Sequence, residues 1–508
     1  MTTLLGVDIG TTGAKALAIR PDGTIAAESF SEYEISSPKS GWAEQDPEDW
    51  WNAFYSAIEQ LFRKGIKPDD IVALGLSGQM HTVVFLDRNL KVIRPAIMWC
   101  DVRTTSQCRQ MTERLGFDGL RQEASNPALE GFTAPKILWL RDNEPKNYAR
   151  LRHVLIAKDY IRYKLTGELA TDISDAAGTI LFNVKDARWS DTILSALDMD
   201  PSILPKVVGS HEVAGRVNRE ASFTTGLKEG TPVVGGGADN ACAAVGAGII
   251  DEGAVQSSIG SSGVVLAALA KHRVDEAMRL HCMNHAAPGR WYLMGVMLAA
   301  GLSLKWFKET LCIEETEQAR RQGRDAYDVI CDRAATAPPG CEGLFFLPYL
   351  TGERTPHSDP NARGVFCGLS LRHTKAHMAR AVLEGVAFGL RDSLELVRQL
   401  DVRVSRVIIV GGGARSALWR QIQADVFGQP VCTLKVKDAA PFGAALLAGI
   451  GAKVFRDFGE AVQKTVRHED DIAPIAGNVT RYNDMYPLYR ELYSANARIF
   501  QRIAELPH

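Results

Sequence analysis

Two short turns, 250 positions apart, carry the residues best suited to chemistry on a phosphate. The first is Gly6-Val7-Asp8-Ile9-Gly10-Thr11-Thr12-Gly13, followed by an apolar run over 14–19; the second is Ser258-Ile259-Gly260-Ser261-Ser262-Gly263, followed by 264–269. Gly10 and Gly13 align with Gly260 and Gly263, with small hydroxyl residues between them each time. Strands joined by such a turn bring backbone N–H groups and hydroxyls to one tip, which can hold an anion without a side-chain cation. Two tips suggest two lobes gripping one polyphosphate.

Two aspartates stand beside these tips. Asp8 sits in an otherwise apolar strand, where an uncompensated carboxylate costs stability. It either caps its own turn or holds Mg²⁺ through water beside the phosphates, and the adjacent Gly-Thr-Thr-Gly favours the second reading. Asp239 follows the short apolar strand 232–234 and the run Gly235-Gly236-Gly237-Ala238, and precedes a small-residue helix over 241–247. It is either an ordinary helix N-cap or a general base that takes a hydroxyl proton during phosphoryl transfer. Gln79, Met80 and His81, at the end of another strand, can exchange hydrogen bonds with a polyol, although a lone histidine is more often structural. Trp99, Asp101 and Arg103 form a further polar and aromatic cluster, in which Asp101 and Arg103 could equally be a simple ion pair. Gly411 to Gly413 let the backbone approach a flat ring or a phosphate, or form a flexible turn.

The elements that must position these groups read as α/β. Strands over 3–9, 14–19 and 24–31 make an antiparallel meander, a helix runs from the Asp46-Pro47 start through Leu61, and 71–76 is a buried strand ending at Ser77-Gly78-Gln79-Met80-His81. The second half repeats this order: a hairpin over 256–269, a helix over 377–400, a strand over 406–410 and the glycine loop 411–416. Repetition on this scale argues for duplication of one α/β unit with ligands at the carboxyl edges of the strands. The glycines at 246, 248 and 253 mark the junction, giving an N-terminal domain over 1–248 and a C-terminal domain over 249–508; Pro338-Pro339-Gly340 is a further break, and 482–503 reads as a helix.

Composition narrows the function classes. At 508 residues the chain is too long for one ordinary core. A formal net charge of -2 with 23% charged residues gives no bulk attraction to nucleic acid or anionic lipid, so the expected partner is a small molecule. Nine cysteines without a Cys-x-x-Cys pair point to reduced thiols and a cytoplasmic location. No apolar stretch approaches the ~20 residues of a membrane span, and no signal peptide is visible. The chain has no Gly-x-x-x-x-Gly-Lys-[ST] loop, dinucleotide fingerprint, His-Glu-x-x-His helix or Gly-x-Ser-x-Gly elbow, so nucleotide binding would use another scaffold.

Together these residues resemble the FGGY carbohydrate kinases, of the actin, hexokinase and sugar kinase superfamily. The resemblance runs through Gly6 to Gly13, Trp42-Ala43-Glu44-Gln45-Asp46-Pro47, Ser77 to His81, Gly131-Phe132-Thr133-Ala134-Pro135-Lys136 with Trp139, Ala157-Lys158-Asp159-Tyr160, Ser174-Asp175-Ala176-Ala177-Gly178-Thr179, Gly237 to Asn240, Leu347-Pro348-Tyr349-Leu350-Thr351-Gly352-Glu353-Arg354-Thr355-Pro356-His357, residues 364–384 and Gly411 to Ser416. It implies two RNase H-like domains around a cleft, with ATP and Mg²⁺ on the C-terminal lobe and sugar mainly on the N-terminal lobe. Carried over by position, Asp239 is the base, Asp8 organises Mg²⁺ and the phosphates, Met80 and His81 contact the sugar with Asn240 beside them, and Gly260, Ser261, Ser262, Gly412, Gly413 and Ser416 hold ATP. Gln79, Trp99 and Asp101 are further sugar candidates, Thr11, Thr12 and Lys15 further ATP candidates, and Asp8 and Asp239 are the expected Mg²⁺ residues, through water. The implied reaction is phosphorylation of D-xylulose at its 5-hydroxyl, with another ketopentose or polyol as the alternative acceptor. A sugar or nucleotide sensor, or an actin-like assembly protein, is the alternative outside catalysis, and a homodimer stays open as the assembly. Thr82 and Cys100 replace the Gly and Asn usual in members acting on xylulose, which leaves the acceptor less fixed than the reaction.

Overall fold

Residues 2–506 are described by the computed structural model, which contains two seven-stranded sheets. The first comprises β1 (Thr3–Ile9), β2 (Gly13–Ile19), β3 (Ile25–Glu32), β4 (Ile71–Gly78), β5 (Val213–Arg216), β6 (Pro232–Val234) and β7 (Gly237–Ala238), in the order β5-β6-β4-β1-β2-β3 with β7 also pairing with β4. The second comprises β8 (Gly253–Ile259), β9 (Gly263–Leu269), β10 (His281–Asn284), β11 (Trp291–Met297), β12 (Val404–Gly411), β13 (Val431–Leu434) and β14 (His468–Ile472), in the order β10-β11-β9-β8-β12-β13-β14.

The duplication appears in the register. β1 is antiparallel to β2 and parallel to β4, placing Asp8 opposite Lys15 on one side and Ser77 on the other. β8 is antiparallel to β9 and parallel to β12, placing Ser258 opposite Val264 and Val410. Asp8 and Ser258 therefore occupy the same node of two equivalent frames, each one residue before an isoleucine and its turn.

Helix α1 (Pro47–Arg63) shows how sequence sets these layers. Asp46 caps it by accepting from the N–H of Glu48 at 3.0 Å, proline occupies its first turn, and Trp50, Phe54 and Ile58 are buried. Burying each such side chain contributes about 1.5–3 kcal/mol. Further helices are α2 (Asp239–Gly246), α3 (Gly301–Leu311), α4 (Lys375–Gln399), α5 (Ala439–Gly451) and α6 (Ala476–Ala504). The terminal helix begins at Ala476, before the expected 482. No described helix is long and apolar enough to cross a membrane.

All strands of the first sheet precede residue 239 and all those of the second follow residue 252, but α5, from the second half, lies on the first sheet. Gly6 and Gly75, paired across β1 and β4, make room for it: a Cβ on Gly6 would lie 1.9 Å from the Pro441 carbonyl oxygen, and one on Gly75 2.0 Å from that of Ala444. The two halves are thus interlocked beneath the turns.

Candidate active site

The carboxyl ends of β1, β4 and β7 converge on one cavity of about 250 Å³, lined by Thr11, Met80, His81, Trp99, Asp239 and Asn240 from the first half. Ser262, His281, Met294 and Arg354 line it from the second half. A second cavity of about 290 Å³ is lined by Gly260, Ser261, Gly412, Gly413, Ser416 and Trp419. Ser261 and Ser262, adjacent in the second turn, therefore face different cavities, and the turn forms part of the partition between them.

Asp239 opens α2 but does not cap it in the usual way. Its Oδ1 accepts from the backbone N–H and the side-chain amide of its neighbour Asn240, at 2.7 and 2.9 Å. The Asn240 amide also donates to Met80 Sδ at 3.5 Å. Burial, and then the negative charge of Asp8, push the Asp239 carboxyl up to about 7, against the pull of the Asn240 hydrogen bonds. Asp8 is also no cap of its own turn, which Gly10 N–H closes on the Gly13 carbonyl at 3.0 Å. Its Oδ1 instead accepts from Ser77 Oγ on β4 at 2.8 Å. Burial pushes this carboxyl up to about 6, with the Ser77 hydrogen bond opposing. Each aspartate keeps one carboxylate oxygen without a hydrogen bond among the described residues, and both are only partly buried. That donor set suits a hard cation held through water, although the described residues contain no group of three or more candidate protein ligands.

His81 has a left-handed backbone, with φ of 66°, and its carbonyl accepts from Lys136 Nζ at 2.9 Å and Thr133 Oγ1 at 3.2 Å. Burial, followed by the Lys136 charge, lowers its imidazole to about 3. The neutral ring donates from Nδ1 to the Gly178 carbonyl at 2.6 Å, which leaves Nε2 as an acceptor. Phe132 lies between His81 and His281, with ring centroids 4.6 and 5.6 Å away. Lys136, Phe132, His281 and Arg354 were not among the sequence candidates; Lys136, Phe132 and Arg354 lie inside the family-like segments, whereas His281 carries no local signal.

Several expected contacts lie elsewhere. Gln79 is buried away from the cavity: its amide donates to the Gly10 carbonyl at 3.2 Å and to Gln45 Oε1 at 2.9 Å, so it braces the first turn. Asp101 is likewise fully buried, accepting from the Ala43 N–H at 2.6 Å and from Arg103 at 2.8 and 2.6 Å. These two placements correct the expectation that both reach the sugar, because their polar atoms are already spent on the scaffold. Thr82, the unusual residue after His81, is buried too, donating to Gln79 and accepting from the Trp99 N–H. Trp99 itself is 40% exposed at the cavity mouth, with its indole N–H on Thr11 Oγ1 at 3.1 Å. Thr12 is exposed and lines neither cavity, and Lys15 forms an ion pair with Asp438, just before α5. The sugar-side expectation is also widened, since strands of the second sheet close the cavity over the first.

Family models for the N-terminal and C-terminal domains of the FGGY family of carbohydrate kinases match residues 3–246 and 255–452. The chain belongs to this family. A xylulose kinase of Lactococcus lactis is 40% identical over 513 residues, covering 99% of each chain, and a gluconokinase of Bacillus subtilis is 30% identical over 504 residues, covering 99% of this chain and 98% of its own. The crystal structure of a xyloylose kinase from Brucella ovis superposes with a TM-score of 0.89 at 34% identity, covering 98% of this chain and all of that one. This family member is an ATP-dependent carbohydrate kinase with the two-domain sugar kinase fold.

Proposed function

We propose that the chain transfers the γ-phosphoryl group of ATP to the 5-hydroxyl of D-xylulose, with Asp239 as the base. The observation that carries this reading is the position of Asp239. It shares one cavity wall with a hydroxyl from each turn, Thr11 and Ser262, while the neighbouring Ser261 faces the glycine-lined cavity suited to ATP. A carboxyl held near 7 is matched to accepting a hydroxyl proton at neutral pH. Asp8 and Asp239 suit a hydrated Mg²⁺, which when bound would neutralise charge on the phosphoryl oxygens.

In this reading, Asp239 Oδ2 takes the proton of the attacking hydroxyl while Asn240 fixes Oδ1. His81, neutral, accepts from a second hydroxyl through Nε2 and cannot compete as a cation. Thr11 and Ser262 present hydroxyls to the phosphoryl group from opposite sheets, so the group is held only when both lobes approach, which also excludes water. The nine cysteines are free, consistent with placing the enzyme in the reducing cytoplasm.

The acceptor assignment rests on the greater identity to the xylulose kinase than to the gluconokinase. It is tested by ADP release with D-xylulose, L-xylulose, D-ribulose, L-ribulose, xylitol, D-arabinitol, glycerol and gluconate. D-Xylulose is expected to give the highest kcat/KM; a higher value with any other acceptor reassigns the substrate, and binding without ADP release favours a sensor.

A further inference from the structure

Arg354 is a guanidinium with no hydrogen bond or ion pair to any described residue, and it lines the acceptor cavity. Its backbone is fixed from both sides. Glu353 Oε1 accepts from the Arg354 N–H at 2.7 Å and the Leu298 N–H at 2.9 Å, while Thr355 exchanges hydrogen bonds with Val296 of β11 at 3.0 Å in both directions. Thr355 Oγ1 also donates to the Arg279 carbonyl at 3.0 Å. A side chain held this firmly at its root, yet left without a partner at its tip, is arranged for a ligand.

The charges around it place it within the cavity. Burial lowers the His81 and His281 imidazoles and the Arg354 charge adds to it in both, while burial lowers Arg354 itself against the pull of Glu130 and Glu353. The guanidinium thus shares the cavity wall with His81 and His281. The chemistry of a 2-ketopentose defines what lies there. Its furanose consumes the 5-hydroxyl in ring closure, so only the open chain can be phosphorylated at that oxygen, and the open chain carries a free carbonyl at C2.

We propose that Arg354 is a specificity-determining residue that receives the C1–C2 end of an open-chain ketose, donating its planar N–H fork to the C2 carbonyl oxygen and the C1 hydroxyl oxygen. This assignment rests on the kinase reading above. A guanidinium has donors only; a carbonyl oxygen offers two lone pairs in the plane of the fork and no proton, whereas an alcohol oxygen at C2 accepts only if its proton is turned to another acceptor, so the ketose is the better fit. Because Arg354 comes from the second half and Asp239 from the first, a ketose bound between them spans both lobes.

The test compares D-xylulose with xylitol, which differs in having an alcohol at C2, for the wild type, Arg354→Met and Arg354→Lys. Arg354→Met is expected to raise KM for D-xylulose at least ~30-fold and to lower kcat/KM for xylitol no more than ~3-fold, with KM for ATP unchanged within about twofold. Arg354→Lys, a charge without the fork, should fall between the wild type and Arg354→Met on D-xylulose. Equal loss on both acceptors, or no loss on D-xylulose, overturns the assignment while leaving the kinase reading intact. A wild type without D-xylulose-dependent ADP release and without D-xylulose binding in calorimetry overturns both. Should Arg354→Met fail to bind ATP, the ratio of ketose to polyol activity in Arg354→Lys decides: a preference equal to that of the wild type overturns the assignment.

Discussion

The two turns share a backbone and differ in what surrounds it. At the first, Gln79 and Tyr33 donate to the Gly10 carbonyl and Gln45 donates to that of Thr11, so side chains hold the loop. At the second, the Gly260 carbonyl accepts from the Gly301 N–H at 2.9 Å, and the Ser261 carbonyl accepts from the N–H groups of Ala300 and Leu302 at 3.0 Å, so the start of α3 holds it. The node before the turn is Asp8 in one frame and Ser258 in the other. Duplication supplied two equivalent turns, and divergence at one node gave only the first a charge. The difference teaches that a symmetric frame makes an asymmetric site with few substitutions, provided each turn is braced independently.

The comparison predicts where activity is concentrated. Replacing Asp239 should have the largest effect: Asp239→Ala is expected to lose sugar-dependent turnover by at least ~10²-fold while retaining ATP binding. Near wild-type turnover would remove Asp239 from the chemistry. Making the first turn like the second, by Asp8→Ser, should lower kcat about 10²-fold and raise the Mg²⁺ concentration needed for half-maximal rate. Unchanged Mg²⁺ dependence would show that Asp8 does not organise the cation. Making the second turn like the first, by Ser258→Asp, should place like charge beside the phosphates and raise KM for ATP about tenfold with acceptor KM little changed. If Ser258→Asp were instead as damaging to kcat as Asp8→Ser, the asymmetry between the turns would not hold.

Much of this arrangement was legible because local pattern and tertiary demand agree. Glycine turns between apolar strands yield the two hairpins, and an aspartate in a buried strand signals a site that offsets its cost elsewhere. Strand-end position, however, does not reveal which way a side chain turns. Gln79 and Asp101 stand at suitable places but face the scaffold, because Gly10, Gln45, Ala43 and Arg103 lie within reach. His281 and Arg354 were missed for the opposite reason: their segments become part of the site only when the second sheet closes over the first. The docking of α5 on the first sheet was similarly hidden, since it depends on Gly6 and Gly75 becoming neighbours across two strands.

The smallest expected effect is on the pH dependence of stability in the protein without nucleotide. Asp8 and Asp239 titrate near 6 and 7 in the folded chain, above the ordinary value of 3.8 for an exposed aspartate. The folded state therefore binds more protons than the unfolded state between about pH 4 and 7, and the contribution of these groups to stability is lost as pH rises through that window. Asp8→Ser removes one raised carboxyl and the negative charge that raises the other, so its loss of stability across the window should be smaller than that of the wild type, by a degree or two in Tm for a chain of this length. Ser258→Asp introduces its charge at the other turn and should leave the contribution of the Asp8–Asp239 pair in place. Mg²⁺ should reverse the trend at the first turn, raising the wild-type Tm more at pH 8, where both carboxylates are ionised, than at pH 5, where both are protonated. Thermal unfolding of the three proteins at both pH values, with and without Mg²⁺, measures this; equal Mg²⁺ stabilisation at pH 5 and 8, or an undiminished pH slope in Asp8→Ser, would assign the charge asymmetry a role other than cation binding.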